Sequence, residues 1–144
     1  MMGESISGPD VCSPRIYKKF AYPYQKYIVD RLRAEGKSTG IHICGNATRI
    51  IESMVDTGAI FLQVDYKIDR DICKRATKGK TTLIGTVDPS SILALGAPND
   101  VEQMARTDID RMASGGGFIL SSGCTLSYST PKENIEALIH TAHN

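Results

Sequence analysis

Four short apolar runs, each followed by a stretch of helical periodicity, leave this chain few folds to choose from. The runs cover residues 40–44, 59–64, 81–87 and 118–122. They are apolar on both faces, which calls for a parallel sheet covered by helices rather than a half-solvated antiparallel one. Right-handed crossovers then place every strand-to-helix junction at one end of the sheet, the end where active sites of such folds are built.

The helical stretches carry their own signals. Ser13-Pro14 offers an N-cap and a proline at the first helical position, and Ile16, Phe20, Tyr24, Tyr27, Ile28 and Leu32 recur at helical spacing up to Gly36, with a kink expected at Pro23. This helix is read as amphipathic and its tyrosines as packing residues. Asn46 is a cap for Ile50, Ile51, Met54 and Val55, and Gly58 is a stop. A weaker helix is expected over 68–77. Asn99 and Glu102 are placed to cap a helix through Val101, Met104, Ala105, Ile109 and Met112, and Thr130-Pro131-Lys132-Glu133 to open the last one. Residues 1–12 show no periodicity and are expected to form a poorly ordered lead-in. The domain is therefore read as 1–144, with its packed part at 13–144.

Chemistry collects at the predicted junctions. In Gly40-Ile41-His42-Ile43-Cys44-Gly45-Asn46 a period of two puts His42 and Cys44 on one face and Ile41 and Ile43 on the other. Zinc needs further donors, and Cys124, after the last apolar run, is the best placed. His42, Cys44 and Cys124 have the type of a catalytic zinc site with one position open, although spacing alone leaves the ligand set incomplete. Asp65 and Asp88 fall at the same end. Asp65 can cap the following helix, act as a fourth ligand, or orient a ligand from behind. Asp88, before Pro89, reads first as a helix start, though it also lines the mouth. Each residue has an ordinary reading too, since buried cysteines are commonly inert and histidines at strand ends are often only hydrogen-bonded. Cys12, Cys73, His140 and His143 are assigned to such structural roles.

Composition narrows the partners. The net charge is +1 and no basic stripe is present, which argues against nucleic acid or an anionic membrane surface. No apolar run is long enough for a transmembrane helix and no leader pattern is evident, so a cytoplasmic chain is expected, in which four cysteines are ligands or buried thiols rather than disulfides.

Three spaced motifs, His42-Ile43-Cys44-Gly45-Asn46, Gly85-x-Val87-Asp88-Pro89 and Gly123-Cys124 with Thr130-Pro131-x-Glu133-Asn134, resemble the C-terminal half of the uroporphyrinogen decarboxylase superfamily. Within it they look like the zinc-dependent methylcobamide:coenzyme M methyltransferase branch. The resemblance implies an α/β fold, the C-terminal half of a TIM (β/α)8 barrel with four parallel strand-helix units. It implies Zn2+ on His42, Cys44 and Cys124; beside that set Asp65 is kept as a candidate fourth ligand or support behind one, and Gly45, Asn46 and Asp88 are read as substrate-binding. It also implies transfer of a methyl group from a methylcobamide, carried by a partner corrinoid protein, to a small thiol such as coenzyme M. A chain with half a barrel has two open sheet edges, so it is expected to form a homo-oligomer or to pair with a separate N-terminal half. Thr86 stands where many relatives carry asparagine, which sets that part of the substrate contact apart. Two alternatives stand beside this reading: a metal-free, decarboxylase-like tetrapyrrole enzyme, and a non-catalytic half-barrel acting as an interaction module.

Overall fold

The computed structural model describes residues 1–143. Its centre is a parallel sheet of five strands in sequence order: β1 (Met2–Gly3), β2 (Gly40–Ile43), β3 (Phe61–Val64), β4 (Thr82–Val87) and β5 (Phe118–Ser122). Between them run α1 (Pro14–Phe20), α2 (Tyr22–Ala34), α3 (Ile51–Asp56), α4 (Arg70–Thr77) and α5 (Pro98–Met112), and α6 (Lys132–His143) closes the chain. An unbroken sequence order in a parallel sheet means that each helix carries the chain over the same face, as in one sector of a (β/α)8 barrel. No helix among the described residues is long and apolar enough to cross a membrane.

The strands divide their side chains by the period of two. Ile41, Ile43, Leu62, Val64 and Leu83 point into a core shared with Tyr17, Val29, Ile50, Ile51, Met54 and Met112, all buried. A smaller cluster, Val87, Leu93, Val101, Ala105 and Ala137, seats α5 and α6. The alternate positions form a row across the sheet, in which Gly3 is in register with His42, His42 with Gln63, Gln63 with Ile84 and Ile84 with Ile119. Gln63 and Ile84 on that row are half-buried and Ile119 is exposed. The inner face of the barrel sector is thus open, and partly polar rather than apolar throughout.

Several sequence expectations are corrected. The lead-in is part of the sheet: β1 pairs with β2, and a 3-10 turn at Ser5–Ser7 follows it. A two-residue strand is too short to show a period, so it left no sequence signal, and five strands stand where four were expected. The chain breaks between α1 and α2 at Ala21, with Pro23 near the start of the second helix rather than at a kink inside one. The stripe of Phe20, Tyr24 and Tyr27 faces outward, while Tyr17, Gln25 and Val29 pack inward and the Tyr17 hydroxyl donates to Gln25 Oε1 at 2.8 Å. Asp100, not the Asn99/Glu102 pair, caps α5, its carboxylate accepting the Ala97 amide at 2.8 Å. The Thr130 hydroxyl has no partner among the described residues, so the expected capping box does not form. Asn134 nearby is buried and donates through Nδ2 to the carbonyls of Leu93 (3.0 Å) and Gly96 (2.8 Å), tying α6 to the loop after β4.

Candidate metal centre

His42 lies on the open face of β2, Cys44 one residue beyond its end, and Cys124 two residues beyond the end of β5. β2 and β5 are separated by two strands, yet the three side chains meet. His42 Nε2 is 3.0 Å from Cys44 Sγ and 3.7 Å from Cys124 Sγ, and the two sulfurs are 3.6 Å apart. Zinc bound tetrahedrally, with Zn–S near 2.3 Å and Zn–N near 2.0–2.1 Å, separates its donors by about 3.5–3.8 Å. A triangle with the observed sides has a centre roughly 2 Å from each corner, so one ion can reach all three atoms. The donor set therefore fits zinc. His42, Cys44 and Cys124 form the cluster that could hold a metal among the described residues.

The imidazole is oriented from behind. His42 Nδ1 lies 3.2 Å from the carbonyl oxygen of Gln63, its register partner on β3. A carbonyl can only accept, so Nδ1 carries the proton and Nε2 presents its lone pair to the sulfurs. This acceptor was invisible in the sequence because it is backbone, set by strand register alone. Cys44 Sγ donates to Ser5 Oγ at 3.3 Å, which brings the first strand's loop into the centre. Burial first, then the hydrogen bond with Cys44, push the Cys124 thiol above its ordinary pKa. A divalent ion bound there would favour its cysteine ligands as thiolates.

Glycines let the strand ends converge. A Cβ at Gly123 would stand 2.6 Å from the Tyr66 amide nitrogen and 3.1 Å from the Asp65 carbonyl carbon, so only a bare Cα lets the residue before Cys124 lie on the loop after β3. Gly45 adopts φ +79, and a Cβ there would meet the Asp10 carboxylate at 2.5 Å.

Asp65 is buried, and its Oδ2 accepts the Gly45 amide at 2.8 Å, while Oδ1 has no partner among the described residues. It does not cap α4, because Asp69 does so by accepting the Ile72 amide at 2.9 Å. Of its three readings, the cap is thus excluded. Its carboxylate lies outside the cluster whose donor atoms are all within 4.8 Å of one another. Asp88 Oδ1 accepts the amides of Ser90 (2.8 Å) and Ser91 (3.1 Å), so it opens a run of turns rather than the helix read first from its sequence, the next helix beginning only at Pro98. Asn46 caps the turn at Ala47–Ile50 by accepting the Thr48 amide at 3.2 Å. The sequence reading missed Asp10, which accepts the Asn46 amide at 3.2 Å and pairs with Lys67 at 3.0 Å, joining the lead-in to the loops after β2 and β3. Gly8-Pro9-Asp10 was the available signal, a turn sequence in a stretch set aside as disordered. Cys73 and Cys12 stand apart: burial pushes the Cys73 thiol up to about 12, and Cys12 Sγ donates to the Ser7 carbonyl at 3.2 Å.

A parallel sheet in barrel-sector order, with one imidazole and two thiols converging at its strand ends, has the layout of a (β/α)8-barrel protein with a candidate metal centre. The uroporphyrinogen decarboxylase (URO-D) family description matches residues 1–144. The chain belongs to that family. It is 35% identical over 130 residues to the methylcobamide:CoM methyltransferase MtbA of Methanosarcina mazei, covering 89% of this chain and 36% of that protein. It is 30% identical over 136 residues to a uroporphyrinogen decarboxylase of Pseudoalteromonas atlantica, covering 92% and 38%. A solved methyltransferase structure from Methanosarcina mazei superposes with a TM-score of 0.86 at 25% identity, over 98% of this chain and 40% of that one. The chain thus spans well under half the length of the proteins it matches.

Proposed function

We propose that this chain is the thiol-activating section of a zinc-dependent methyltransferase that moves a methyl group from a methylated corrinoid protein to a small thiol such as coenzyme M. The observation that carries the reading is the triangle of His42, Cys44 and Cys124, with donor separations of 3.0, 3.6 and 3.7 Å. The likeness to proteins named methylcobamide:CoM methyltransferase supports the reaction class.

A zinc ion held by His42, Cys44 and Cys124 would supply Lewis acidity, favouring the thiolate form of an acceptor thiol at neutral pH. Cys44 and Cys124, as thiolate ligands, would offset the ion's two positive charges and leave an acceptor sulfur more electron-rich than neutral ligands would. His42 is held in one tautomer by the Gln63 carbonyl. Asp65 fixes the Gly45 turn through Oδ2, and its free Oδ1 makes it the candidate to orient a ligand or complete the resting coordination. Gly45, Asn46 and Asp88 line the substrate side. In the transfer, the acceptor sulfur forms a bond to the methyl carbon, and the carbon–cobalt bond breaks with both electrons staying on cobalt.

Adding coenzyme M to the zinc-loaded chain at pH 7 is expected to release about one proton per thiol bound, read with a pH indicator. Thiol binding without proton release would contradict the activating role.

The open inner face and the outward stripe of Ile16, Phe20, Tyr24 and Ile28 support a chain that works with more barrel than it contains. Two copies, or this chain with a separate N-terminal half, would cover them inside a reducing cytoplasm. Sedimentation of the isolated 15.7 kDa chain is expected to give a dimer or larger. A monomer at micromolar concentration would contradict self-association.

A further inference from the structure

We infer that Cys44 and Cys124 form an oxidative modification site, closing to an intramolecular disulfide when no metal holds them apart. The observation is their Sγ–Sγ distance of 3.6 Å, across a sequence separation of 80 residues. A disulfide needs about 2.05 Å between the sulfurs, so closure asks for a movement of roughly 1.5 Å. The chain around Cys124 can supply it. No helix or strand spans residues 123–131, although Gly123 is tied by its amide to the Val87 carbonyl at 2.8 Å. Beyond Cys124 the bonds of Ser127 to Ser129 and to the Thr130 amide stay within one local turn, so the movement falls to the Cys124 side chain and the residues after it. Cys44, at the end of β2 and anchored by β1 and the Asp65 contact to Gly45, is the fixed partner.

The other two thiols are not placed to compete. Cys73 is fully buried in the core, and Cys12 is engaged with the Ser7 carbonyl. Cys44 and Cys124 are each partly exposed, so a small oxidant reaches them. With hydrogen peroxide as oxidant the balance is simple. One thiol is oxidised to a sulfenic acid with release of one water, and the second thiol displaces the hydroxyl to form the S–S bond with release of another. Two thiols lose two electrons and two protons, and one peroxide is reduced to two waters. Because both sulfurs are the proposed zinc ligands, disulfide and metal exclude each other. This exclusivity rests on the reading above, whereas the disulfide itself rests on geometry alone.

The test uses the chain stripped of metal with a chelator and treated with one equivalent of hydrogen peroxide. Remaining thiols are blocked, and the protein is digested and mapped by mass spectrometry without reductant. Titratable thiols are expected to fall from four to two, with one linked peptide joining Cys44 to Cys124. Cys44→Ser should lose the link and leave Cys124 as a sulfenic acid, trapped by dimedone. Recovery of both residues as blocked thiols, or linkage of either to Cys12 or to a second chain, would overturn the assignment. In a parallel arm the chain is first loaded with zinc sulfate, and released zinc is read with a chromophoric chelator. Slower linkage, with one zinc released per disulfide, is expected, and equal rates with zinc bound would overturn the exclusivity. If the chain takes up no zinc, the metal reading fails while the metal-free arm still decides the disulfide.

Discussion

Replacing Asp108 with alanine is expected to destabilise the chain by about 3 kcal/mol, seen as a lower urea midpoint with an unchanged slope. Asp108 on α5 is fully buried, with one carboxylate oxygen paired to Arg70 and the other accepting the Thr86 hydroxyl at 2.8 Å. The guanidinium also donates to the carbonyls of Tyr66 (3.4 Å) and Thr86 (3.3 Å). One charge pair thus joins α4, α5, the end of β4 and the loop after β3. Removing the carboxylate strands a cation whose side chain is only 13% exposed, a loss of roughly 3–5 kcal/mol for a fully buried pair, and that small exposure favours the lower end. Against a typical domain stability of about 5–15 kcal/mol this is a large fraction. The combined replacement Arg70→Met, Asp108→Leu, Thr86→Val leaves no stranded side-chain group, only the long backbone contacts of the guanidinium being lost, and should lose less than Asp108→Ala alone. A single-variant loss below about 1 kcal/mol would show that the pair does not organise this end of the sheet.

The same network shows where sequence reading succeeds and where it stops. Strand-helix alternation and the set His42, Cys44 and Cys124 were legible because period-two burial and ligand chemistry are written in residue types. Thr86 was noted only as a departure from relatives, yet its hydroxyl meets Asp108, a contact across 22 residues that no local pattern announces. Asp65 and Asp69 are equally plausible caps by type, and backbone geometry gave the cap to Asp69. The outward face of α2 misled for a different reason. Its stripe is apolar at helical spacing, yet Tyr24, Tyr27 and Ile28 are exposed while the polar Gln25 packs inward beside Val29. β1 escaped because two residues carry no period, and with it went Ser5 and Asp10, which border the candidate centre.

The central claim is that one ion joins the end of β2 to the loop after β5. Cys124 supplies one of two sulfurs, its thiol 3.6 Å from that of Cys44. Losing it leaves a two-donor site, too few for a structural or catalytic zinc centre. Its removal leaves the buried core untouched, because Cys124 belongs to neither hydrophobic cluster. The Cys124→Ala chain should therefore fold with near-normal stability while losing the metal. The decisive measurement is the zinc content, by elemental analysis, of the purified wild-type chain beside Cys124→Ala after identical dialysis against zinc-free buffer. The account predicts about one zinc per wild-type chain and nearly none in the folded variant. Zinc absent from the wild type, or retained at one per chain without Cys124, would contradict it.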